Sequence, residues 1–166
     1  MKLILITGFL GSGKTTFLSN LLKEFSNEKI GVIMNEFGEK GIDGTLIRKD
    51  NFDMIELNNG SIFCACIKDN FIQAIVEFTK HDINYLFIES TGLSDPSNME
   101  NILDITKRLS DKEINYLGSI CIIDALYFLK QYKLLPALSR QVQYSDAVII
   151  NKTDLQTKDN INKIEL

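Results

Sequence analysis

No run of apolar residues in this chain approaches the length of a membrane span, and the longest are strand-sized. That argues against membrane helices. Nor is there an excess of one charge: 18 Lys and Arg stand against 22 Asp and Glu, a formal net charge of −4. With a sequence pI near 5.1 there is no global electrostatic case for a nucleic-acid partner. Cysteine is scarce and odd in number, as Cys64, Cys66 and Cys121. A disulfide framework is therefore not expected, and reduced thiols in the cytoplasm are. Met1 and Lys2 leave no room for a signal peptide before the first apolar run. No repeat or linker divides the 166 residues, whose 45% apolar and 24% charged content suits one globular domain with a real core.

What is present is organised around one stretch, Leu3 to Thr16. Leu3, Ile4, Leu5 and Ile6 read as a strand buried on both faces. Gly8-Phe9-Leu10-Gly11-Ser12-Gly13-Lys14-Thr15 then matches G-x-x-x-x-G-K-[ST] residue for residue. Phe17, Leu18, Leu21, Leu22 and Phe25 follow at helical spacing. The chemistry explains the residue types. Glycines let backbone N–H groups close on phosphate oxygens with no Cβ in the way, and the helix starting at Lys14 points its positive end at the same anion. Lys14 is expected to reach the β- and γ-phosphates and Thr15 to ligate Mg²⁺, with Gly8, Gly11, Ser12, Gly13 and Thr16 completing the cradle.

Beyond this stretch, strand-like runs alternate with helical ones. Strands are expected at Ile30–Met34, Phe52–Leu57, Asn84–Ser90, Tyr116–Asp124 and Asp146–Asn151, with a short extended piece at Thr45–Arg48. Helices are expected at Ile67–Lys80, from Pro96 to about Leu109 with Asp95 as cap, at Ala125–Lys133, at Pro136–Tyr144 and from Lys158 onward. Asn35 to Gly44 reads as a glycine-rich acidic loop. The alternation predicts an α/β fold of the P-loop NTPase kind, a mostly parallel twisted sheet with helices on both faces in three layers. Functional loops should gather at the carboxyl ends of its strands.

Three further stretches fit one site. Glu89 stands where a buried strand emerges, suited to hold Mg²⁺ directly or through water, and Gly92 follows as a backbone donor to a γ-phosphate. Asn151-Lys152-Thr153-Asp154 follows another strand. A carboxylate at Asp154 accepts from the N1–H and exocyclic amine of guanine, whereas adenine would leave it desolvated and unpaired. Asn151 and the Lys152 stem support the base and the loop. Cys64 and Cys66, one residue apart, read either as thiolate ligands for Zn²⁺ or Co²⁺ or as small apolar residues at a strand end, with Glu36 as a candidate third ligand. Cys121 lies in the apolar run YLGSICIID and reads as core; His81 reads as a solvated or capping residue.

Taken in order, GFLGSGKTT, NEFGEKGIDG, the Asn-Gly-then-cysteine stretch, ESTGLSDP, IIDA and NKTD resemble the CobW-type GTPases, relatives of the urease- and hydrogenase-maturation GTPases. The likeness runs from Leu3 to about Leu155. It implies a P-loop GTPase domain over residues 1–166, a Glu (here Glu89) in place of the usual acid, and switch elements at Glu36–Gly44 and Thr91–Pro96. It also implies delivery or insertion of zinc or cobalt into a client protein or cofactor pathway. Two departures stand out. The family's Asn-Gly-Cys-x-Cys-Cys reads here Asn59-Gly60-Ser61-Ile62-Phe63-Cys64, so only Cys64 matches, with Cys66 two residues beyond. Of the helix, strand and loop that normally follow NKxD, only the start of a helix at Lys158 is found before Leu166, and the family's smaller second domain is not. One exposed sheet edge or face inviting association, such as a homodimer, is therefore expected.

These readings converge on a Mg²⁺-dependent GTPase whose catalysis is positioning and charge neutralisation by Lys14, Glu89, Gly92 and the metal. Arg48, Arg108 and Arg140 each read as surface residues, so slow intrinsic turnover is expected. The rival is a GTP-dependent regulatory binding module without metal cargo. A P-loop kinase using ATP is disfavoured by NKTD and by the lack of an arginine-rich lid.

Overall fold

Leu3 and Leu5 are buried among the side chains of one face of a sheet, while Ile4 and Ile6 pack on the other. A continuous apolar run is what such a doubly covered strand requires. The computed structural model describes residues 1–36, 46–49, 52–58 and 68–165. Its strands are β1 (Lys2–Thr7), β2 (Ile30–Glu36), β3 (Leu46–Lys49), β4 (Phe52–Asn58), β5 (Tyr85–Glu89), β6 (Asn115–Asp124) and β7 (Ala147–Asn151). They form one seven-stranded sheet in the order β3-β4-β2-β5-β1-β6-β7. Every pairing is parallel except that of β3 with β4.

The helices are α1 (Lys14–Glu24), α2 (Lys68–Thr79), α3 (Met99–Leu109), α4 (Phe128–Gln131), α5 (Pro136–Gln143) and α6 (Lys158–Glu165). On one face, Phe71, Ile75 and Phe78 of α2 and Ile102 and Leu103 of α3 cover Leu3, Leu5, Leu86 and Ile88. On the opposite face Leu18, with Phe17, Leu21 and Leu22, lays α1 over Ile6, Val32, Phe87 and Ile122. Cys121 and Ile123 alternate with Ile120 and Ile122, and carry the α2–α3 layer on beneath Phe128 of α4 and Leu138 of α5. This is the expected three-layer α/β/α arrangement. No helix among the described residues is long and apolar enough to cross a membrane. Cys121 is core as expected, and burial pushes its thiol up to about 12.

The elements differ from expectation at three boundaries. Asn35 and Glu36 are not the start of a loop: β2 carries them on because β4 continues beside it, Asn35 opposite Leu57 and Glu36 opposite Asn58. The ladder is a backbone interaction and does not stop where apolar residues do. The segment after β6 does not turn helical at Ala125. Asp124 Oδ1 accepts from Leu126 N at 2.8 Å and its carbonyl from Tyr127 N at 3.2 Å, a local turn that delays α4 to Phe128. The helix from Pro96 opens with a single 3-10 turn, Pro96–Asn98, capped as expected by Asp95, which accepts from Ser97 N at 3.0 Å. The Asn59-Gly60 turn and the 37–45 loop lie outside the described residues.

Strand order positions the site. Elements reached before β6 lie on one side of β1, and β6 and β7 on the other. In register, Ile6 stands opposite Glu89, Thr7 opposite Cys121, and Asp124 opposite Asn151. Parallel neighbours therefore bring the carboxyl ends of β1, β5, β6 and β7 to one edge, where the order changes direction.

Candidate functional site

The loop between β1 and α1 is built on left-handed glycines. Gly8, Gly11 and Gly13 have φ of 137°, 72° and 99°. A Cβ on Gly8 would lie 2.2 Å from the Ile122 carbonyl oxygen, and one on Gly13 would lie 2.3 Å from the Asn151 amide nitrogen. Glycine is thus required twice over, by conformation and by space. Ser12 N donates to the Phe9 carbonyl at 3.1 Å and Lys14 Nζ to the same oxygen at 3.3 Å, so the ammonium is held over the loop. Lys14 is only 8% exposed, while Thr15 and Thr16 are exposed on the first turn of α1. The Ser12 hydroxyl is buried and makes no hydrogen bond.

β5 delivers Glu89 beside this loop. Thr15 Oγ1 donates to Glu89 Oε1 at 2.7 Å, although the two are far apart in sequence, and Glu89 is 5% exposed. A hydroxyl and a carboxylate in contact at a strand end form an all-oxygen set suited to a hard divalent cation. Gly92 closes the other side: a Cβ there would meet Leu10 N at 2.4 Å. The curled glycines, the covered ammonium and this oxygen pair fit a nucleoside phosphate with Mg²⁺.

β7 brings up the third stretch. Asn151 Nδ2 donates to the Ser12 carbonyl at 2.8 Å and Lys152 Nζ to the Gly11 carbonyl at 2.6 Å. Lys152 adopts a left-handed conformation, φ 58°, at a cost of roughly 1–2 kcal/mol for a side-chain-bearing residue. Its ammonium also donates to Asp124 Oδ2 at 2.6 Å. Asp154 follows, exposed, in the 3-10 turn Thr153–Leu155. The structure thus gathers the phosphate loop, Glu89, Gly92 and Asn151–Asp154 at one sheet edge. Cys64, Cys66 and the side chain of Glu36, whose backbone ends β2, lie outside the described residues.

Sequence reasoning gave no role to two participants. Asp124 holds Lys152; the sequence placed it at the end of a buried strand and within IIDA, without a role. Gln141 of α5 is buried and donates through Nε2 to the Gly92 and Ser94 carbonyls at 3.2 and 2.9 Å. The signal was available: Gln141 falls on the Leu138–Val142 stripe of its helix, where an apolar residue belongs. Arg140 is an exposed surface residue as expected, and its Nη1 donates to Asp95 Oδ2 at 2.5 Å. Burial pushes the Asp95 carboxyl up, but the hydrogen bonds from Arg140 and Ser97 outweigh it and leave the group below the usual carboxylate range. A depressed carboxylate contributes stability above its unfolded-state pKa and loses it as pH falls through the folded value. This tie is therefore complete at neutral pH. His81 stands 3.5 Å from Glu77 and 3.9 Å from Asp53, at the far end of α2.

With this geometry in place, similarity to known proteins becomes informative. A family model described as CobW/HypB/UreG, nucleotide-binding domain, matches residues 2–165. The chain is 35% identical over 158 residues to the zinc chaperone YjiA of Escherichia coli, covering 91% of this chain and 49% of that protein. It is 28% identical over 204 residues to the zinc-regulated GTPase metalloprotein activator 1 of Dictyostelium discoideum, covering 96% and 41%. The crystal structure of Zn(II)-bound YjiA GTPase from E. coli superposes with a TM-score of 0.71 at 28% identity, over 99% of this chain and 53% of that one. The chain spans about half the length of these relatives. On the family match and the P-loop GTPase fold together, it belongs to the CobW/HypB/UreG family, of which it carries the nucleotide-binding domain.

Proposed function

We propose that this chain is the Mg²⁺-dependent, GTP-hydrolysing part of a switch that delivers zinc or cobalt to a client protein or cofactor pathway. The observation that carries the nucleotide reading is the Thr15–Glu89 hydrogen bond beneath the glycine loop, with the Asn151–Lys152 pair gripping the same loop from β7. Lys14 neutralises β- and γ-phosphate charge, and Gly92 N–H donates to the γ-phosphate. Thr15 and Glu89 hold Mg²⁺, which when bound neutralises phosphate oxygens. Water attacks the γ-phosphorus, the bond to the β–γ bridging oxygen breaks, and GDP, inorganic phosphate and a proton result. Asp154 reads guanine. An odd count of three cysteines suits a cytoplasmic setting.

The metal half of the proposal is supported by the names of its relatives, two of which refer to zinc. Ser61 and Phe63, in place of two cysteines, favour the rival of a GTP-dependent module without cargo. A titration of Co²⁺ into reduced protein, with a GTP analogue, with GDP and without nucleotide, separates them. We expect a thiolate-to-Co²⁺ absorption band that depends on nucleotide and vanishes in the Cys64→Ser, Cys66→Ser double variant. Cys121 should not contribute, being buried with its thiol pushed up to about 12. Absence of the band in all three states would leave the rival standing. In the same preparations, phosphate release from GTP that requires Mg²⁺ tests the hydrolytic half.

A further inference from the structure

Gly92 is the proposed γ-phosphate donor, yet glycine has the least intrinsic preference for any one backbone conformation. Something must fix the two peptide planes that flank it. The plane carrying Gly92 N–H has Thr91 O at its other end, and that oxygen accepts from Ser94 N at 3.1 Å and also from the Ser94 hydroxyl. The next plane carries the Gly92 carbonyl, which accepts from Gln141 Nε2 at 3.2 Å. The same amide nitrogen donates to the Ser94 carbonyl at 2.9 Å, so one side chain holds both the second plane and the residue that holds the first.

Gln141 is 0% exposed, and its Oε1 is buried without a hydrogen-bond partner among the described residues. Both nearby partners of the amide are carbonyls, so the NH₂ must face them and the oxygen must face away. A buried amide kept at the expense of an unsatisfied oxygen is not explained by packing, since an apolar side chain of the same volume would avoid that cost. One residue earlier on α5, Arg140 ties Asp95, at the end of the same loop. From the opposite side, Gly92 lies against the Leu10 backbone.

We propose that Gln141 is a positioning residue for GTP: it braces residues 91–94 so that Gly92 N–H is aimed at the γ-phosphate before the nucleotide arrives. The inference rests on the assignment of Gly92 as γ-phosphate donor. It predicts a defect selective for the triphosphate, because GDP has no γ-phosphate to meet.

The test measures affinities for a non-hydrolysable GTP analogue and for GDP with Mg²⁺, in wild type and in Gln141→Met, which keeps the volume and removes the donor. Loss of one buried donor corresponds to about tenfold weaker analogue binding, with GDP affinity unchanged within error. Ser94→Ala, a smaller change on the Thr91 side of the brace, should shift the ratio in the same direction and stands in if Gln141→Met does not fold. Equal weakening of both nucleotides, or no change in either, would overturn the positioning role while leaving the nucleotide site intact. Failure of wild-type protein to bind either nucleotide would overturn both.

Discussion

Lys14→Ala protein should remain folded and lose GTP and GDP binding by about 10²–10³-fold, the consequence of withdrawing one partner from a buried charge pair. The loop does not need this side chain for its shape. Its curvature comes from Gly8, Gly11 and Gly13, and its outer wall is tied to Asn151 and Lys152 through the Ser12 and Gly11 carbonyls. Lys14 Nζ itself donates to the Phe9 carbonyl at 3.3 Å, which holds the ammonium over the loop. Equilibrium titration with a fluorescent GDP derivative, beside a circular dichroism melt, separates lost affinity from lost fold. Retained affinity would remove Lys14, and the loop with it, from the site.

The second large effect concerns the base. Asp154→Asn should lower the preference for GTP over ATP by about 10²-fold or more, because a carboxylate matched to two guanine donors is replaced by an amide offering only one acceptor. The same variant should gain xanthosine triphosphate, whose C2 carbonyl stands where guanine has its amine and can accept from the new NH₂. Asp154 is exposed and lies beyond the Lys152 anchor, so its substitution leaves the grip on Gly11 and Asp124 in place. Competition of each triphosphate against the fluorescent probe reads the ratio directly. An unchanged GTP-to-ATP ratio would reject Asp154 as the reader.

The parts of this site that were legible in the sequence are those whose chemistry constrains neighbouring positions. Three glycines, a lysine and a threonine at set spacing between an apolar run and a helical one admit few backbones, and the loop is built from them as expected. Glu89 was legible because an acid at the end of a buried strand emerges at the sheet's carboxyl edge; the parallel register places it opposite Ile6 and within reach of Thr15. Gln141 interrupts the apolar stripe of α5, but its role was not legible, because it depends on α5 crossing near residues 91–94, a tertiary fact. Arg140 is the surface residue it was read as, although its tie to Asp95 is likewise a tertiary fact. The late start of α4 and the extra length of β2 escaped notice because an Asx turn and a backbone ladder are indifferent to the apolar periodicity from which both were read.

The segment proposed to read guanine hangs from β7, which among the described strands has one neighbour, β6, whereas the phosphate loop follows β1 in the interior of the sheet. The two halves of the nucleotide site therefore differ in local unfolding free energy. The phosphate end persists whenever the domain is folded. The base end can fray with β7, releasing Lys152 from Asp124 and Gly11 while the rest of the sheet stays intact. On the proposed assignment of Asp154, a nucleotide that spans both ends would spend part of its binding free energy closing that edge.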